Sequence, residues 1–203
     1  MTTARLGSTP DDSHDLRYAP AATTVRSPGS SLGARLRARM TRWFAVSPVE
    51  LDFTERSRYS LDQSAVVAAP PERVFALMAD GGRMGEWFHD FVACRWTSAA
   101  PHGVGSTREI ELAALTVKER FLAWDPGRRL AFRIDAITLP LVSKMIEDMR
   151  LEPVDGGRST RVSWRVHYEP TLLMRLVHPI GRRVFARMFA KSLAGLARLA
   201  ARG

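Results

Sequence analysis

The chain has 203 residues, 45% of them hydrophobic and 25% charged, which is enough for one ordinary globular domain with its own core and some chain left over. A single cysteine, Cys94, excludes an internal disulfide and a cysteine-built zinc site, and fits a reducing cytoplasm. The formal charge of +9 is carried almost wholly by arginine, with Lys118, Lys144 and Lys191 the only lysines, a skew that a GC-rich genome explains as well as a polyanionic partner does.

Residues 1–30 are rich in Thr, Ser, Ala, Pro and Gly and poor in large apolar side chains, so they are expected to form a disordered tail. They show no basic start followed by an apolar run, and no apolar stretch of about eighteen residues occurs in the chain, so neither secretion nor membrane spanning is expected. Residues 31–52 read as a basic amphipathic helix and a linker. Within LGARLRARMTRWF, Leu32, Leu36, Met40, Trp43 and Phe44 recur at helical spacing beside Arg35, Arg39 and Arg42, and Pro48 ends the element. A folded domain is expected over residues 53–203.

In that domain Tyr59–Ala68 reads as a strand, and Pro70-Pro71 opens a short helix buried through Val74, Phe75, Leu77 and Met78, since proline suits a first helical turn. Asp80-Gly81-Gly82 breaks it, and Met84, Trp87 and Phe88 suggest a second short helix. Six strand-like runs follow: 91–97, 106–113, 116–124, 129–135, 143–153 and 159–168. Pro101-His102-Gly103, Asp125-Pro126-Gly127 and Asp155-Gly156-Gly157 are hairpin-type punctuation between them. From about Thr171 to Ala201 the period becomes helical, with a bend expected near Pro179 and Gly181. Val184, Phe185, Met188, Phe189, Leu196 and Leu199 are expected to face the sheet.

The order is one strand, two short helices, six strands and a long helix. It predicts an α+β helix-grip fold, a curved seven-stranded antiparallel sheet wrapped on the C-terminal helix with a hollow between them. Three stretches carry a resemblance: APPERVFALMADGGRMGEWF (Ala69–Phe88), AWDPGRRLAFRI (Ala123–Ile134) and DGGRSTRVSWRVHYEP (Asp155–Pro170). Together they resemble the START/Bet v 1-like SRPBCC superfamily, in its bacterial polyketide cyclase/dehydrase and lipid transport branch, over roughly residues 58–200. The resemblance implies a cavity for lipids, sterols, polyketides, quinones or similar apolar molecules; a minority of such proteins cyclise or dehydrate polyketides, and a fold alone does not choose among these.

Strand alternation nominates the inward side chains. Val162, Trp164, Val166 and Tyr168 share one face of the last strand, with Trp164 read as core packing ahead of a ligand platform. Met145, Glu147, Met149 and Leu151 form a second inward set, unless a one-residue slip turns Ile146 inward and Glu147 to solvent. Val117, Glu119, Phe121 and Ala123 form a third, facing Arg108, Ile110 and Leu112 from the preceding strand. An inward glutamate beside an inward arginine can be a structural ion pair, a polar anchor or an acid/base apparatus, in that order of preference. Among the histidines His14, His89, His102, His167 and His178, none has a hydrolase or metal-ligand spacing, so neither a metal nor a cofactor is expected, and His89 reads as a surface residue near the cavity mouth.

The expectation that emerges is a noncatalytic carrier of a hydrophobic small molecule or lipid. Trp87, Phe121, Met145, Met149 and Met188 would supply apolar wall, and Arg108, Glu119 or Glu147 would orient a polar end. The alternatives are a polyketide cyclase/dehydratase using Glu119 or Glu147 as base with Arg108 steadying an enolate, and a peripheral membrane or regulatory scaffold contacting membranes through residues 32–44. Nucleic-acid binding is disfavoured because no recognition motif accompanies the charge.

Overall fold

The computed structural model describes residues 42–202. Its elements are β1 (Phe44–Ala45), α1 (Phe53–Arg56), β2 (Tyr59–Val67), α2 (Pro71–Ala79), a 3-10 turn (Met84–Glu86), β3 (Phe91–Trp96), β4 (Thr107–Leu112), β5 (Thr116–Asp125), β6 (Arg129–Ile137), β7 (Val142–Val154), a 3-10 turn (Asp155–Gly157), β8 (Ser159–Pro170), α3 (Leu172–Leu176) and α4 (His178–Ala200). The seven long strands are those expected from alternation and turn chemistry, and they pair antiparallel in the order β2-β8-β7-β6-β5-β4-β3. This is the curved sheet and long C-terminal helix of a helix-grip fold.

Local chemistry explains the joints. Pro71 sits in the first turn of α2, where a missing N–H costs nothing. At Asp125-Pro126-Gly127 the Arg128 N–H donates to Asp125 O at 2.9 Å, and Gly127 takes a φ of +69°, which a residue without Cβ adopts freely. The expected second short helix is one 3-10 turn. The long helix breaks earlier than Pro179: Val177, at φ −109° and ψ 10°, separates α3 from α4, and Pro179 lies in the first turn of α4, where it is tolerated.

Two departures concern the N-terminal side. The tail expected over residues 1–30 and most of the helix expected over residues 32–44 lie outside the described residues. The end of that helix is extended instead: Phe44 and Ala45 pair with Ile137 and Ala136 of β6. Val46 N–H and Ser47 N–H then donate to Asp135 O and Ser143 O at 3.0 and 2.9 Å, so this segment sits between β6 and β7 where their own pairing has ended at Arg133 and Ile146. The chain therefore joins the sheet at Phe44, ahead of the boundary expected at residue 53. Val49 and Phe53 go on to cover Ile146 on the outer face of β7. A strand buried on both faces loses its alternation, and this is why both Ile146 and Glu147 are buried and the register of this strand was ambiguous in sequence.

The inner face packs against the second half of α4 through Phe189, Leu193, Leu196 and Ala200, with Val67, Val74, Met78 and Trp164. Phe185, Met188 and Leu199 are half-buried, whereas Val184, expected on the sheet side, is exposed at the rim of the hollow between sheet and helix. The helix is pinned to the segment after the first 3-10 turn. His89 N–H donates to Ser192 Oγ at 3.0 Å, and Ser192 Oγ donates to Met188 O at 2.9 Å. At Gly195 the helix meets backbone, since an added Cβ would collide with the carbonyl oxygen of Trp87. Gly195→Ala should therefore lower stability by about 1–3 kcal/mol, the usual cost of overpacking. Gly103→Ala, which meets nothing within 4 Å, should be close to neutral, and urea unfolding of the two variants checks both.

Candidate ligand cavity

Between the sheet and α4 lies a cavity of about 440 Å³. Ligand pockets span roughly 300–1,000 Å³, so it can hold a sizeable apolar molecule. Its wall is mainly Leu, Ile, Val, Met and aromatic side chains from β2, β4–β8, α2 and α4. The exposed residues Leu139, Arg182, Val184, Arg187 and Lys191 also border it, so it opens to solvent beside the first half of α4.

Trp87, Arg108, Glu119, Met145, Glu147, Met149 and Met188 all line this space. Phe121 does not. It is fully buried at the closed end of the sheet, where its ring stacks near Trp96 and meets Trp124 and Phe132 edge-on, at centroid distances of 5.6, 4.8 and 5.5 Å. Alternation correctly turned it inward but could not say that neighbouring aromatics fill the space before a ligand reaches it.

Arg108 and Glu119 are direct cross-strand partners in the β4–β5 ladder, and Nε of Arg108 donates to Glu119 Oε2 at 2.6 Å in a pair almost wholly removed from solvent. The guanidinium carbon lies 4.9 Å from the ring centre of Phe121 and 5.5 Å from those of Trp96 and Phe132, so aromatic faces replace part of its lost hydration. Its Nη1 is buried with no acceptor among the described residues, and so is Nε1 of Trp87, another cavity-lining donor.

Glu147 stands opposite Phe132 on one side and Val166 on the other, and its Oε2 accepts from Trp164 Nε1 at 2.8 Å. Trp164 thus packs the core, edge-on to Phe189 at 5.0 Å, and also orients the carboxyl group. Burial first, and then the like charge of Glu119, push Glu147 up to about 8, with the Trp164 N–H and Arg108 opposing. Burial also raises Glu119, against the pull of Arg108. Two carboxylates and one guanidinium in an apolar chamber carry least net charge when one carboxyl is protonated, and Glu147, without a cationic partner in contact, is the one that keeps the proton.

Sequence reading turned Tyr168 and Phe185 inward without placing them in the site, and it missed Met174, His178 and Arg182 at the open end. Tyr168 OH and His178 Nε2 are 2.8 Å apart, and Met174, Arg182 and Phe185 also line the cavity. The signal of Met174, His178 and Arg182 was hidden because α3 and α4 read as one continuous helix. His89 borders the cavity as well, with Nε2 3.4 Å from Lys191 Nζ. No cluster of three or more metal-ligating side chains occurs among the described residues, and no described helix is long and apolar enough to cross a membrane.

Residues 58–201 match the family model described as polyketide cyclase/dehydrase and lipid transport. The chain belongs to that family, within the SRPBCC superfamily. A relative, the uncharacterized protein Rv2574 of Mycobacterium tuberculosis, is 30% identical over 138 residues, covering 68% of this chain and 78% of its own. The Zhui aromatase/cyclase from Streptomyces sp. R1128 shares the fold at a TM-score of 0.60 and 18% identity, over 71% of this chain and 94% of that one. TTHA0849 from Thermus thermophilus does so at 0.60 and 19%, over 71% and 100%. Membership of the polyketide cyclase/dehydrase and lipid transport family, with this fold, gives a scaffold for binding hydrophobic ligands.

The raised value of Glu147 ties stability to pH. A carboxyl that holds its proton more tightly folded than unfolded favours the native state at low pH; that advantage is whole below the ordinary glutamate value of 4.5 and is lost as pH rises toward and through about 8. Glu147→Gln, which retains an acceptor for Trp164, should flatten the urea-midpoint profile between pH 5 and 8.5 and raise stability at its alkaline end by on the order of 1 kcal/mol or more.

Proposed function

We propose that the protein binds and carries an apolar small molecule or lipid that ends in an acceptor oxygen, such as a carboxylate, carbonyl or quinone. The observation that carries this reading is the unpaired Nη1 of buried Arg108, in a cavity that also holds the unpaired Trp87 Nε1 and Glu147, whose carboxyl group is pushed up by burial to about 8. A buried donor without an acceptor costs about 1–3 kcal/mol, and a ligand oxygen at Arg108 would remove that cost while the apolar body fills the Met- and Leu-lined space. Met145, Met149 and Met188 suit the role because their flexible thioethers adapt to irregular shapes.

Glu147 supports a second reading. A carboxyl group with a value near neutrality is suited to general acid/base work, and beside Arg108 it could take a proton from an activated carbon of a polyketide chain while the guanidinium steadies the enolate oxygen. Carriage is preferred because Glu119 already occupies Arg108 Nε, and no third titratable group among the described cavity residues stands in a relay with Glu147.

Removing Arg108 alone would strand Glu119 in the core, so the informative variant is Arg108→Met/Glu119→Met, which removes both charges together. Binding of cis-parinaric acid, followed by fluorescence and by native mass spectrometry, should weaken roughly 10- to 100-fold in this variant, the loss of one charge-assisted hydrogen bond. Unchanged affinity would contradict the anchoring role of Arg108. For the second reading, a linear poly-β-keto thioester should be turned over at a rate that rises toward pH 8, and Glu147→Gln should bind it without turnover; absence of turnover in the unaltered protein leaves carriage.

A further inference from the structure

Leu172 and Leu176 lie one turn apart on α3, and Ile180 and Val184 one turn apart on the first half of α4, so that on the two sides of the break at Val177 they make up an exposed apolar stripe. They are 79%, 80%, 66% and 60% exposed, a degree that singly means little but that four large apolar side chains in a row do not show by chance. Leu173 adjoins them at 68%. The sheet does not cover the stripe: the start of α4 meets the sheet through His178, which packs on Tyr59 and Tyr168, and Phe185 and Met188 turn toward the core, while these four side chains stay exposed.

Charge says what covers it. Between Thr171 and the end of the chain there is no aspartate or glutamate, while Arg175, Arg182, Arg183 and Arg187 flank the stripe, all exposed. An apolar ridge fringed by cations alone matches an anionic lipid headgroup layer with hydrocarbon beneath it. A second copy would bring arginines against arginines. The N-terminal stretch of the same chain, with Arg35, Arg37, Arg39 and Arg42, carries the same sign of charge and is mismatched too. The position of the stripe adds a further argument: Arg182, Val184 and Arg187 border both the stripe and the open end of the cavity.

We infer that α3 and the first half of α4 dock on an anionic phospholipid bilayer, with Leu172, Leu176, Ile180 and Val184 entering the acyl boundary and the arginines at the headgroups. The cavity mouth then faces the membrane, so an apolar ligand passes between bilayer and protein with little exposure to water. Docking itself does not require that the cavity be a carrier's; vesicle binding is read without reference to cavity occupancy, so each proposal can fail alone.

The test uses the full chain with phosphatidylcholine vesicles containing or lacking about a third of phosphatidylglycerol. Binding to the anionic vesicles is expected, weakening with salt as exposed charge pairs do, and falling at least tenfold in Leu172→Ser/Leu176→Ser/Ile180→Ser. These positions are exposed, so the urea midpoint of that variant should match the parent's. In a second measurement, an environment-sensitive dye on Leu176→Cys, with the half-buried Cys94 changed to Ser, should shift to the blue on anionic vesicles. The proposal is overturned if the unaltered protein ignores anionic vesicles, if the triple variant binds as well as the parent and the dye does not shift, so that another segment such as residues 32–44 carries the binding, or if the protein is a dimer that the triple variant dissolves while vesicles have no effect.

Discussion

One helix cannot cover this sheet. Seven strands at the usual spacing of about 4.8 Å span roughly 29 Å, whereas a helix with its side chains is only about 10–12 Å across. The sheet must curl around α4, and where curling does not bring the two surfaces together a hollow remains. At one end the hollow is closed by the aromatic packing of Phe121 with Trp96, Trp124 and Phe132. At the other, beside α3 and the start of α4, it opens to solvent past Leu139, Arg182 and Val184. The insertion of Phe44–Ser47 between diverging β6 and β7 keeps backbone groups satisfied near that end.

A cavity with an apolar wall is a poor place for charge, and yet this one contains Arg108, Glu119 and Glu147. The pair formed by the first two is held by strand register and aromatic contact, and it offsets much of its own desolvation. Glu147 sits outside that pair and avoids an uncompensated charge by keeping its proton at neutral pH, with Trp164 fixing its orientation. The result is a near-neutral polar spot in an apolar chamber, with hydrogen-bond donors still unsatisfied on Arg108 and Trp87. Such a spot selects among apolar molecules by the position of a polar atom, and can do so without any reaction.

The stripe of leucine, isoleucine and valine on α3 and α4 lies on the outside of these helices and reaches the cavity rim at Val184. Apolar helical residues that neither the sheet nor the cavity takes up must face water or a partner, and these lie beside the cavity opening rather than at random. Cavity, polar anchor and exposed ridge thus lie together along a single arrangement: a long amphipathic helix held against a wide curved sheet.

Much of this was legible in the amino-acid order. Period-two alternation, Asp-Pro-Gly and Asp-Gly-Gly turns and a final 3.6-residue period determined seven antiparallel strands and a long helix, because those patterns depend on local backbone geometry alone. They also turned Arg108, Glu119 and Trp164 inward. Four things were decided by tertiary structure. Ile146 and Glu147 are both buried because residues 49–53 cover the outer face of β7, which alternation cannot register. Phe121 packs against aromatics and so leaves the cavity wall. Phe44, read as the end of a helix, found its hydrogen-bond partners in β6. Val184, apolar and at helical spacing, is exposed at the rim of the cavity. Sequence pattern determines which side of an element is apolar; whether anything lies against that side depends on how far distant elements extend, and only packing in three dimensions decides it.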